Sequence, residues 1–173
     1  MVHDIQCYNV LTFPLEEIII YKQSNSNYVD ILDGFEYYQR EEHLNGANKI
    51  YCNNCRNMEN SCRQSKIISS PKILIIILNR RKNSRSKIKL TFAEYLNIKQ
   101  FVNNCEIPTH YKLIGVISQL DPSEMPGRFI AYCKCSVESC WKQFNDSEVD
   151  YSSFEDVTEK GTPCVLFYSK DDK

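Results

Sequence analysis

The sequence predicts an α+β fold built mainly on an antiparallel sheet with one or two helices. Most of its apolar segments are short enough to be strands, and polar, proline- or glycine-containing connections such as DPSEMPG separate them. Strands and helices do not alternate in the way that would indicate a parallel sheet. The length of 173 residues suits one domain or a large part of one.

The first third of the chain contains the predicted helix. A short β-branched run at Glu17–Tyr21 favours a strand, and the later stretch FEYYQREEHL (residues 35–44) favours a helix. Asp33 is placed to cap the start of this helix, and Asn45-Gly46 to end it. Lys49–Cys52 then predicts a strand that ends in a cysteine knuckle.

The remaining two thirds read almost entirely as strands. KILIIILNR (residues 72–80) is apolar at successive positions, which predicts a central strand buried on both faces. The basic stretch RRKNSRSKIK predicts the exposed turn of a hairpin, with KIKLTF as the returning strand. Further strands are predicted at HYKLIGVISQ, RFIAYCKC, CWKQFND and PCVLFYSK.

Composition excludes several classes of protein. A net charge of -1 argues against a nucleic-acid binder, and the absence of a long apolar run argues against a membrane span. The N-terminus has no secretory signal pattern, and nine cysteines is an odd number. These features favour reduced thiols in a cytoplasmic or nuclear protein over a secreted disulfide framework.

An ordered series of local motifs carries more information than composition does. EEHLNGANKIYCNNC and SSPKILIIILNR come first, and KLIGVIS, GRFIAYCK, W-x2-FNDSEV and PCVLFY follow in that order. These six collinear motifs, which span residues 41–168, resemble the C-terminal part of a ubiquitin-specific protease domain, and the resemblance runs from about residue 4 to residue 168. The resemblance implies a papain-like cysteine protease fold described as thumb, palm and fingers.

The resemblance also implies how the chain is divided. Residues 1–173 would form a single partial domain, with the fingers and a connecting helix over about 1–70 and the palm over about 71–170. The thumb would be missing. The family carries its cysteine nucleophile in a G-x-x-N-x-x-x-x-C segment of the thumb, so the nucleophile is expected to be absent from this chain.

The resemblance assigns the other members of the catalytic triad to particular residues. Arg128 stands where the family motif G-H-Y or G-H-F has its general-base histidine. A guanidinium stays protonated at physiological pH, so Arg128 cannot accept the proton of a thiol. Asn145 aligns with the residue that orients the histidine, and Asp146 follows it. Either side chain is placed to pair with Arg128 instead.

A structural zinc site is common at the finger tips of this family, where two C-x2-C pairs meet. Cys52 and Cys55 match the second pair, whereas only Cys7 remains of the first, because Val10 fills the other position. His3 or Cys62 could complete four ligands. The alternative is a decayed site in which the thiols pack as small apolar groups without metal.

Three functions remain open at this stage. The first is a catalytically inactive module that binds ubiquitin or a ubiquitinated protein, or serves as a scaffold. The second is a cysteine-type deubiquitinase whose thumb and nucleophile come from elsewhere. The third is a truncated gene product without independent function. Neither nucleic acid nor membrane is an expected partner.

Overall fold

Strands dominate the structure, as the sequence predicts. The computed structural model describes residues 5–24, 26–80, 88–103, 107–120 and 127–171. Within these ranges the α-helices are α1 Leu15–Tyr21, α2 Ile31–Tyr38 and α3 Phe154–Glu159, with short 3₁₀ turns at Gly46–Asn48 and Lys99–Phe101. The strands are β1 Val10–Pro14, β2 Tyr28–Asp30, β3 Glu41–Leu44, β4 Ile50–Cys52, β5 Asn57–Glu59, β6 Ser61–Gln64, β7 Ile73–Asn79, β8 Lys89–Thr91, β9 Tyr95–Asn97, β10 His110–Gln119, β11 Phe129–Lys134, β12 Trp141–Asn145, β13 Glu148–Ser152 and β14 Thr162–Lys170.

One large sheet organises the described part of the chain. Its order is β1-β7-β14-β10-β11-β12-β13, and β9 pairs with β10 beside this path. Only the β1–β7 pair is parallel, and the other neighbours in the sheet are antiparallel. This arrangement confirms the predicted α+β class with an antiparallel sheet, although the described residues form three α-helices where one or two were predicted.

The hydrophobic core combines residues of the large sheet with residues of all the described α-helices. Phe35 of α2 is fully buried, stacks on Phe101 with ring centroids 5.2 Å apart, and meets the ring of Phe13 edge-on at the same distance. Leu15 and Ile18 are the buried residues of α1. Aromatic rings therefore join β1, α2 and the segment before β10 into one packed unit.

Three smaller strand pairs lie outside the large sheet. β2 pairs with β8, β3 with β6, and β4 with β5. No residue of β3, β4, β5 or β6 is fully buried, so the β3–β6 pair and the β4–β5 pair form two exposed ribbons. In the described ranges, no helix combines the length and the apolar character needed to cross a bilayer.

The predicted strand at Glu17–Tyr21 is wrong, because these residues belong to α1. Pro14 ends β1 in an extended conformation, which turns the chain into a helix beginning at Leu15. Glu16 and Glu17 lie in the first turn, where carboxylates interact favourably with the helix dipole. Burial of Ile18 against the core then outweighs the β preference of its branched side chain.

The predicted helix over residues 35–44 is correct only in part. It begins at Ile31 with Asp30 as its N-cap, and Asp33 completes a capping box instead of capping the helix itself. It ends at Tyr38, since residues 41–44 form β3 and pair with β6. Pairing between distant strands has overridden the local helix preference of Glu41 and Glu42.

The predictions for KILIIILNR and the basic stretch also need correction. β7 is central, between β1 and β14, but it buries alternate residues, so that Ile73 and Ile77 are exposed. The predicted turn falls largely on residues 81–87, which lie outside the described residues. The predicted return strand supplies β8, which pairs in parallel with β2 and not with β7.

The capping box of α3 predicts a pH-dependent stability. Asp156 accepts a hydrogen bond from the backbone N–H of Ser153 and pairs with Lys160, which lowers the pKa of its carboxyl from 3.8 to about 2. Because the folded pKa is depressed, this contribution is complete above the unfolded pKa and is lost as the pH falls through about 2. Urea unfolding should show a steeper loss from about pH 5 to about pH 2 for the wild type than for Asp156→Asn. Parallel profiles would contradict this assignment.

Candidate functional site

Arg128, the residue at the expected general-base position, lies directly before β11 and beside the C-terminal end of β10. Gln119 pairs with Phe129, and the backbone N–H of Leu120 donates to the carbonyl of Arg128 at 3.0 Å. Gly127 precedes Arg128 with φ 81°, a conformation that favours glycine. Backbone pairing therefore fixes Arg128 at the start of β11.

Arg128 forms an ion pair with Asp146. Its Nη2 donates to Asp146 Oδ2 at 2.8 Å, which is one of the two pairings that the sequence predicts. The partners come together because β11 pairs with β12, and Asp146 directly follows β12. The side chains are 49% and 72% exposed, so water screens this pair strongly.

Asn145 lies beside this pair as the last residue of β12. Its Oδ1 is buried and has no hydrogen-bond partner among the described residues. A buried amide oxygen without a donor is costly, so the side chain of Asn145 lies in an unfavourable environment. The two residues predicted for the orienting position therefore differ: Asp146 forms an ion pair with Arg128, whereas the Oδ1 of Asn145 accepts no hydrogen bond from the described residues.

The ion pair leads to a prediction about the turn between β12 and β13. Asp146 has φ 53°, a left-handed conformation that Asp and Asn tolerate better than Ala. Asp146→Asn removes only the charge, so it should lower the free energy of unfolding by less than about 1 kcal/mol. Asp146→Ala should cost more because it adds strain of about 1–2 kcal/mol. Chemical denaturation checks this, and equal losses for the two variants would contradict it.

Cys133 on β11 and Cys164 on β14 do not have the pKa shift of an activated thiol. Loss of solvation raises the pKa of both the Cys133 and the Cys164 thiol above the ordinary value. Catalytic cysteines need the opposite shift, because the thiolate is the nucleophile. Cys133 is exposed and Cys164 is half-buried, and neither thiol has the lowered pKa of a catalytic cysteine.

Neither described histidine is placed to act as a base beside Arg128. His110 opens β10 and contacts Asn97, whereas Arg128 lies next to the other end of that strand, roughly 30 Å away for a strand of this length. His43 lies on β3, outside the large sheet. His3 lies outside the described residues.

The predicted cysteine knuckle occupies the connection between β4 and β5. Backbone N–H groups of Cys55 and Asn54, together with the Cys55 thiol, lower the pKa of Cys52. The same shared thiol contact raises the pKa of Cys55, whose Sγ donates to Glu59 Oε1 at 3.6 Å. Backbone N–H groups aimed at a cysteine sulfur stabilise its thiolate, which is the form that binds a metal.

In the part of the chain that the structure describes, the further ligands of a closed zinc site are not brought to this knuckle. Cys7 instead lines a cavity with Tyr38, Ile67 and other residues. Among the described residues, Cys7, Cys52 and Cys55 do not form a group of three metal-binding donors. Two ligands fit zinc at this position, and the described chain does not complete a four-ligand set there.

A different donor group was missed by the sequence analysis. Glu41, His43 and Cys62 bring their ligand atoms within 4.8 Å of one another on β3 and β6. The sequence had suggested Cys62 only as a ligand partner for Cys52 and Cys55. Correct assignment of β3 and β6 as paired strands would have been the signal, because it places His43 opposite Cys62.

Comparison with known proteins identifies relatives over most of the chain. A family model described as ubiquitin carboxyl-terminal hydrolase matches residues 11–168. Ubiquitin carboxyl-terminal hydrolase 16 of Arabidopsis thaliana is 31% identical over 80% of this chain and 14% of its own length. Ubiquitin carboxyl-terminal hydrolase 15 of Homo sapiens is 28% identical over 92% of this chain and 17% of its own length. The chain therefore spans well under half the length of these relatives.

Solved structures with a similar fold come from the same kind of protein. The yeast SAGA DUB module with a variant Sgf73 superposes with a TM-score of 0.64 at 26% identity, over 84% of this chain and 35% of the compared chain. A SAGA DUB module of Ubp8, Sgf11, Sus1 and Sgf73 bound to monoubiquitin gives a TM-score of 0.63 at 27% identity, with the same coverage. The match over residues 11–168 and the shared fold lead to one conclusion: this chain belongs to the ubiquitin carboxyl-terminal hydrolase family.

Proposed function

We infer that this chain is a deubiquitinase-like module that binds ubiquitin without hydrolysing its conjugates. The observation that carries this proposal is the Arg128–Asp146 ion pair, in which Arg128 stands where the family motif places its imidazole and Asp146 directly follows Asn145, the residue aligned with the orienting position. A cysteine protease needs a group at this position that accepts a proton from the thiol and later returns it. The guanidinium of Arg128 keeps its proton throughout the physiological pH range.

The ion pair accounts for the position of the Arg128 guanidinium beside Asp146. Moving Arg128 aside would break the contact of its Nη2 with Asp146 Oδ2. The family's catalytic machinery instead requires an imidazole that alternates between neutral and charged forms. A fixed positive charge favours binding of an anionic group, such as a terminal carboxylate, over transfer of a proton.

An apolar surface beside Arg128 supports the binding part of the proposal. The strand registers put Phe129, Phe144, Val149 and Tyr151 on one face of β11–β13, and all four are exposed. We name this set the outer face. Contiguous exposed apolar side chains are typical of protein-binding surfaces. A related module with the same fold has been solved bound to monoubiquitin.

A ubiquitin derivative with a cysteine-reactive group at its C-terminus tests the loss of catalysis. The chain is expected to form no covalent adduct, while an active family member under the same conditions is labelled completely. Mass spectrometry of the intact protein provides the measurement. Labelling of a cysteine in the protein with Arg128 in place would show that a base is supplied by another residue, and would favour the deubiquitinase alternative.

A further inference from the structure

Three metal-binding side chains meet on the exposed ribbon formed by β3 and β6. His43 and Cys62 are directly opposite each other in the antiparallel register. Glu41 lies two residues before His43, so its side chain points to the same face of β3. A carboxylate, an imidazole and a thiol therefore share one side of a two-stranded ribbon.

The distances between these donors are close to those needed around a single ion. His43 Nδ1 lies 3.1 Å from Cys62 Sγ, and His43 Nε2 lies 3.7 Å from Glu41 Oε1. Tetrahedral zinc with ordinary bond lengths holds a sulfur and a nitrogen ligand about 3.5 Å apart. The thiol and the imidazole need to separate only slightly. A ring rotation then turns one nitrogen toward both other donors, and the 70% exposure of His43 leaves room for it.

The charges around the group favour a cation. In the described part of the chain, the carboxylate of Glu41 lies 3.7 Å from the imidazole of His43, and no lysine or arginine neutralises it. The opposite face of the ribbon differs, since Glu42 there accepts two hydrogen bonds from the guanidinium of Arg63. The ribbon thus has one face closed by the Glu42–Arg63 ion pair and one face on which the Glu41 carboxylate, the His43 imidazole and the Cys62 thiol meet.

We propose that Glu41, His43 and Cys62 bind a divalent cation of the zinc class. The carboxylate oxygen, one imidazole nitrogen and the thiolate supply three ligands, and a water molecule takes the fourth position. On binding, the Cys62 thiol releases its proton to solvent and its sulfur forms the bond to the metal. The mixed thiolate and imidazole set favours zinc over magnesium or calcium.

This site differs from the knuckle formed by Cys52 and Cys55, which lies on the β4–β5 connection. Of the described residues, Glu41, His43 and Cys62 are the group that combines three such donors. The ion would link β3 to β6. Because the three ligands come together only in the folded chain, binding of the ion would stabilise the folded state. The proposal does not depend on ubiquitin binding.

Cobalt(II) substitution provides the test, because its absorption spectrum reports coordination geometry and thiolate ligation. The chain carrying Cys52→Ser and Cys55→Ser is titrated with Co²⁺, so that the knuckle does not contribute. We expect one equivalent to bind, with tetrahedral bands and a charge-transfer band from one thiolate. Zn²⁺ should displace the Co²⁺ and raise the melting temperature.

Single variants in the same background assign the site. His43→Ala and Cys62→Ser should each weaken Co²⁺ binding by more than the roughly 10–100-fold that follows loss of a residue merely hydrogen-bonded to a ligand. His110→Ala is the matched control, since it removes the other described histidine, which contacts Asn97. Circular dichroism verifies folding. The proposal is overturned if the background chain binds no Co²⁺, or if His43→Ala binds it as the background does.

Discussion

Replacing Phe35 with alanine is expected to lower the free energy of unfolding by about 3–5 kcal/mol. Its ring is fully buried, stacks on Phe101 and meets Phe13 edge-on, so truncation leaves a cavity between α2, β1 and the segment before β10. Such a loss is a large share of the total stability of a small domain. Urea unfolding followed by circular dichroism measures the effect.

A matched truncation at the surface controls for loss of an aromatic ring as such. Phe129 is 53% exposed on the outer face, so Phe129→Ala should change stability by no more than about 1 kcal/mol. If Phe35→Ala and Phe129→Ala cost the same, the aromatic unit around α2 does not form the core of this protein.

Gly34→Ala is also expected to lower the free energy of unfolding substantially, although helix propensity alone predicts the opposite. Alanine is the better helix former by about 1 kcal/mol, so propensity alone predicts stabilisation of α2. A Cβ at position 34 would overlap Cδ2, Cε2 and Cγ of the Phe13 ring, which is almost completely buried. Because the ring has no space to retreat, the substitution should cost about 1–3 kcal/mol or more.

The double variant Gly34→Ala/Phe13→Leu separates this overlap from other effects. A smaller, flexible side chain at position 13 makes room for the new methyl group. The alanine should therefore cost less in the Phe13→Leu background than in the wild type, and this difference measures the coupling. Additive losses from the two substitutions would mean that the ring of Phe13 does not restrict position 34.

Regular apolar patterns allowed much of the sheet to be predicted from the sequence. HYKLIGVISQ, RFIAYCKC, CWKQFND and PCVLFYSK become β10, β11, β12 and β14. The same patterns predicted the wrong element where contacts between residues far apart in the sequence determine the structure. Glu17–Tyr21 is helical because Pro14 and burial of Ile18 determine its conformation, and residues 41–44 leave the helix because β6 pairs with them.

The residues around Arg128 could be predicted from the sequence because they lie within two of the local motifs. Arg128 could be identified from GRFIAYCK, and its two candidate partners from the segment that follows Trp141. Which of them pairs with Arg128 depends on the turn after β12, where the left-handed conformation of Asp146 brings its carboxylate to the guanidinium. The Glu41–His43–Cys62 group was not predictable by spacing, because only the ribbon register brings Cys62 to His43.

A titration of ¹⁵N-labelled ubiquitin with the unlabelled chain tests the proposed function most directly. We predict saturable chemical-shift changes on ubiquitin that weaken when Val149→Asp places a charge on the outer face. Val137→Asp, at a 90% exposed position between β11 and β12, should leave the binding curve unchanged. Ubiquitin resonances that do not move at millimolar concentrations of the chain would contradict the account.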